Sequence, residues 1–251
     1  MGTDISNIWR FDLRKGNSDD PRNGACLLDA VSWMEYGHIG DHPKCACPVI
    51  AAFARIVNDE MSDTGRQLLK VFIPRLGGSV DPSAEQARAE YLAWQAVRVF
   101  APLALDAARL HEQATKLRDC TILDDAASAA SAARAASAAR AGRAASAADD
   151  AARAADYAAR AARAADYAAR AASAGRAGRA ASAPRAADGA ASAARAAARA
   201  ASAASAADGA AEDAIIAALD GVLRIGRQAE PVAAERAATA VERFAMAMER
   251  A

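Results

Sequence analysis

Nearly every side chain in this sequence with the means to do chemistry falls between Asn23 and Cys47. The run carries Cys26, Asp29, Glu35, His38, Asp41, His42, Cys45 and Cys47, so two of the three histidines and three of the four cysteines lie there. Thiolates and imidazoles are zinc ligands, and zinc takes four of them in a tetrahedron. One reading therefore makes Cys26, His38 or His42, Cys45 and Cys47 the four donors of a single structural zinc ion. The spacing is unlike the usual zinc pattern, because Cys45-Ala46-Cys47 is too short for C-x₂₋₄-C and no second pair follows. A second reading is nucleophilic catalysis. It puts Cys26 in the first turn of a helix, where the dipole would lower the thiol pKa. His42 or His38 would then be the base, with Asp41 or Asp29 orienting it. The third reading makes the same residues structural: Cys26 a small buried residue, Cys47 close to a helix cap, His42 part of a turn, and Asp29 and Glu35 capping or facing solvent. Cys120 and His111 stand far off in sequence and read as structural, and Trp9, Trp33 and Trp94 as core.

The elements that would position these residues read as helices. Trp9, Phe11 and Leu13 alternate, as in a short strand or an arm lying on a domain. Asp19-Asp20-Pro21-Arg22-Asn23-Gly24 is turn chemistry. A helix starts near Asn23, with Leu27, Leu28, Val31 and Met34 on one face. A loop follows from Gly37 to Cys47, and Pro48 suits the first position of a second helix. Asp63 is placed to cap a third, carrying Leu68, Leu69, Phe72, Ile73 and Leu76 inward to Gly77-Gly78. A fourth opens at Asp81-Pro82-Ser83, Pro102 kinks or divides it, and a further helix runs to about Thr121.

Beyond position 125 the composition changes. Residues 126–212 hold 51 alanines among 87 residues and no Val, Ile, Leu, Met, Phe, Trp or Cys. Alanine has the highest helix propensity, so the tract is predicted to be helical. Asp149, Asp156 and Asp166 stand four residues before Arg153, Arg160 and Arg170, the favourable order for helical ion pairs. The Ala-Ala-X pattern has a period of three. Each X therefore slips back by about 60° per repeat on an α-helix, and no polar face persists. Such a tract is either solvated or packs unusually closely through its small residues. Pro184 and Gly189 are the expected hairpin positions. The closing stretch has apolar residues at Ile215, Ile216, Leu219, Val222, Leu223 and Ile225, and after Pro231 at Val232, Val241, Phe244, Met246 and Met248. Those faces need a partner, either the N-terminal domain or another chain.

The chain carries 31 basic and 31 acidic residues. Balanced charge gives no steer toward nucleic acid or acidic membranes. The tract alone is basic, with 12 Arg against 7 acidic residues. Its drifting phase cannot gather them into one stripe, which argues against a nucleic-acid module. No run of 18 uncharged apolar residues exists, so no membrane span is expected. The first residues carry charge and no apolar stretch, and the expectation is a cytoplasmic protein with reduced thiols.

The segments Asn23-Gly24-Ala25-Cys26-Leu27-Leu28-Asp29-Ala30-Val31-Ser32-Trp33 and Asp41-His42-Pro43-Lys44-Cys45-Ala46-Cys47-Pro48-Val49-Ile50 resemble a group of uncharacterised bacterial and phage proteins. That resemblance spans about residues 8–120 and implies a head joined to an alanine-rich middle of variable length. It implies no activity and hence no catalytic residue.

Together these readings give an all-α protein. Residues 1–125 form a helical head with an N-terminal arm, 126–212 an alanine-rich helical region, and 213–251 a helical segment packing on the head or on another chain. The leading functional reading is a non-enzymatic structural or interaction protein. Its alanine-rich helices act as spacer or oligomerisation surface, and its partner is a protein or a second copy. The alternative is a metal-binding or cysteine-dependent protein centred on residues 26–47, with no cofactor or a single zinc ion.

Overall fold

The computed structural model describes residues 11–16, 18, 24–122, 125, 160, 167, 171–172 and 209–226. The protein is all-α. The elements are α1 (Leu27–Tyr36), α2 (Pro48–Glu60), α3 (Asp63–Gln67), a 3₁₀ turn (Leu68–Phe72) and α4 (Ile73–Leu76). They continue with α5 (Glu85–Gln95), a π turn (Ala96–Phe100), α6 (Ala101–Ala107), α7 (His111–Arg118) and α8 (Gly209–Leu223). Among the described residues the one β-contact is an isolated parallel bridge between Leu13 and Ala25. The chain divides into two compact units, Met1–Glu85 with Leu219–Ala251, and Gln86–Ala218. The composition, by contrast, shifts near 125 and 212.

The first unit is built on α1 and α2, with α1 packed on both α2 and α4. Leu27, Leu28 and Val31 of α1 and Val49, Ile50, Phe53 and Val57 of α2 are buried. Pro48 opens α2, where a missing N–H costs nothing. Arg66 closes it. Its buried guanidinium donates to the free carbonyls of Asn58 (2.6 Å) and Met61 (2.8 Å) and pairs with Asp63 (2.7 Å). The cap of α3 is Ser62, whose hydroxyl accepts from Gly65 N–H, and Asp63 is one residue inside. The expected single helix from 63 to 76 is three pieces. Pro74 has no N–H to give the carbonyl of Lys70, so an unbroken α-helix is impossible there. The tighter turn leaves Leu68 half-exposed while Leu69, Phe72, Ile73 and Leu76 are buried.

In the second unit Pro102 has the same effect. It cannot bond the carbonyl of Arg98, and the preceding turn widens so that Ala101 N–H bonds Ala96 instead. α6 packs against α7 and the π turn. Asp106 ties the two helices by accepting from His111 (2.9 Å) and pairing with Arg118. Trp33 and Trp94 are half-buried rather than core. Trp94 carries the Arg98 guanidinium 4.6 Å over its ring.

The alanine-rich tract is helical at Arg160, Tyr167, Ala171 and Ala172. Ala172 is fully buried, and its carbonyl accepts a 3.0 Å hydrogen bond from Gln86 of α5. The expected hairpin positions and the helix after Pro231 lie outside the described residues. No described helix is long and apolar enough to cross a membrane.

Candidate functional site

The chemistry-rich segment begins at Gly24 and immediately spends its side chains on folding. Cys26 is the N-cap of α1. Its sulfur accepts from Asp29 N–H (3.3 Å), and the Asp29 carboxylate accepts from Cys26 N–H (3.1 Å). This is a capping box with Cys in the place of Ser or Thr and Asp in the place of Glu. Asp29 Oδ2 also accepts from Ser18 N–H at 3.2 Å. Leu27 N–H, another free donor of the first turn, goes to Asn58 Oδ1 at 3.1 Å.

The electrostatics run opposite to the nucleophile reading. Burial pushes the Cys26 thiol up to about 12, and the adjacent Asp29 carboxylate adds to the effect. The helix terminus was expected to lower it. Desolvation disfavours the thiolate more strongly than the backbone N–H groups favour it. Asp29 is itself fully buried. Its carboxyl is raised above the ordinary range by burial, against the N–H and thiol donors at Cys26, with Asp41 adding repulsion. Among the described residues its Oδ1 has no hydrogen-bond partner.

Cys47 is likewise a structural residue, the N-cap of α2. It is fully buried, and its N–H donates to Ser79 Oγ at 2.9 Å. The Ser79 hydroxyl in turn donates to the Leu76 carbonyl at 2.8 Å. The remaining candidates form the outer side of the loop. His38 is exposed and stacks on Tyr36, with ring centroids 5.7 Å apart and planes 18° apart. Cys45 is half-buried. Its thiol is raised by burial, against a hydrogen bond from the Tyr36 side chain, and Glu35 adds repulsion. His42 is exposed and bonds its neighbour Asp41 at 2.5 Å. Asp41 in turn faces Arg55 of α2, whose Nη2 donates to the Asp41 carbonyl at 3.1 Å.

The five proposed ligands are therefore divided between two helix caps and an outer loop. Among the described residues no three His, Cys, Asp or Glu side chains converge as a metal site would need. Cys26 is spent on its cap, and His42 uses one ring nitrogen, Nδ1, on Asp41.

The densest polar site was not legible as such. It is the floor beneath the N-terminal arm. Phe11 and Leu13 point inward and Asp12 and Arg14 outward, in the alternation of an extended chain. Gln67 brackets Leu13, accepting from its N–H at 2.9 Å and donating to its carbonyl at 3.0 Å, and also donates to the Asp63 carbonyl at 3.1 Å. Arg14 N–H bonds the Ala25 carbonyl at 2.8 Å, and Arg14 C=O accepts from Asn58 Nδ2 at 3.0 Å. Gly16 N–H donates to Asp59 Oδ1 at 2.7 Å. The buried Lys70 sits 5.5 Å over the Phe11 ring and 3.3 Å from the Asp12 carboxylate. Apart from Ala25, these partners are 43 to 58 positions from the arm, beyond any local pattern. A C-x-x-D run before an apolar stretch, in contrast, was a readable sign of the capping box at Cys26.

The chain matches no family model, no curated protein and no solved structure.

Proposed function

We propose that this chain is a non-enzymatic structural or interaction protein in which the alanine-rich helices serve as spacer or association surface. The observation that carries the reading is Ala172. A residue with only a methyl side chain is fully buried, and its backbone carbonyl is within hydrogen-bond reach of Gln86 on α5. Gln86 is held for this by a second bond to Glu90 at 2.8 Å. A helix surface of alanines admits a neighbouring helix much closer than one bearing Leu or Phe. Alanine recurs throughout residues 126–212, so the sequence offers the same methyl-sized side chain many times. The partner is then another helix, on a second copy or on another protein. Light scattering on the full chain tests this. A mass above one chain is expected, and it should persist at 1 M salt, where surface ion pairs are screened but close apolar packing is not. A single chain at every concentration, with no partner on crosslinking, overturns it.

The second reading, a metal-binding or cysteine-dependent protein centred on 26–47, has one observation on its side. Asp29 keeps a buried carboxylate oxygen without a partner three residues from Cys26. Buried polar atoms are nearly always satisfied, so something of positive or donor character fits there. Elemental analysis of the purified chain decides it. A stoichiometric metal whose removal frees thiols supports the reading, and its absence with freely titrating thiols removes it.

A further inference from the structure

We draw no further inference here: the strongest candidate, the surface patch made by the exposed apolar side chains of Leu68 and Val71 on the 3₁₀ turn between α3 and α4, carries nothing because nothing among the described residues shows what covers it.

Discussion

The first unit and the alanine-rich helix both bury what they must, by opposite means. Around α1 and α2 the interior is filled by large side chains such as Leu27, Ile50, Phe53 and Leu69, and the backbone polar groups at helix ends are met one by one by Cys26, Asp29, Asn58, Arg66 and Ser79. At Ala172 burial is complete with a single methyl group, and the Gln86 side chain reaches over to the backbone carbonyl. The first design depends on atoms being present. The second depends on atoms being absent. A sequence can show rich chemistry in the first region and none in the second, and yet each contact is intolerant of change in its own direction.

That contrast is broken most forcefully by deletion in the first unit. Phe53 is fully buried, and Phe53→Ala is expected to cost about 3–5 kcal/mol, measured from the shift in urea midpoint at constant slope. At Ala172 the sensitive direction is addition. Ala172→Leu adds three carbons at a fully buried site and is expected to cost about 1–3 kcal/mol, although leucine is an excellent helix former. Ala172→Gly, the deletion there, costs about 1 kcal/mol through propensity alone. If Ala172→Leu proved neutral or stabilising, the close approach of the two helices would be refuted, and with it the main support for the proposed function.

What the sequence discloses follows the range of the forces involved. Helix identity was legible wherever apolar residues recur at helical spacing, as at Leu27, Leu28 and Val31 or from Val49 to Val57. Caps were nearly legible, because they act within three residues: Pro48 and Cys47 fell where expected, and Ser62 displaced Asp63 by one position. The breaks at 68–72 and 96–100 are also local, set by Pro74 and Pro102, but their form depends on how the chain re-pairs the lost bond. The arm's groove could not be read at all. Gln67, Asn58 and Asp59 look like ordinary polar helix residues, and only the fold brings them under Leu13, Arg14 and Gly16. The clustering of thiols has a local cause. Cys26 and Cys47 share a short stretch of sequence because each begins a helix on either side of one loop.

The subtlest way to sharpen the comparison is to ask what Cys26 contributes as a thiol. Its fold-imposed pKa of about 12 lies above the ordinary value of 9.0. A group raised in this way favours the folded state fully below its unfolded pKa, and that contribution is lost as pH climbs from 9 toward 12, because the unfolded thiol ionises first. Each pH unit within that window removes about 1.4 kcal/mol. Cys26→Ser keeps an N-cap of the preferred type and removes the titration. At pH 7 the variant should differ from the parent by less than about 0.5 kcal/mol, the usual spread for exchanging good N-caps. At pH 10 it should be the more stable of the two by about 1 kcal/mol. Parallel stability profiles from pH 7 to 10 would mean that the thiol is not desolvated in the fold, and the nucleophile reading of Cys26 would regain its footing. A variant that is weaker by the same 2 kcal/mol or so at every pH would instead show that sulfur's size, rather than its ionisation, is what the cap of α1 requires.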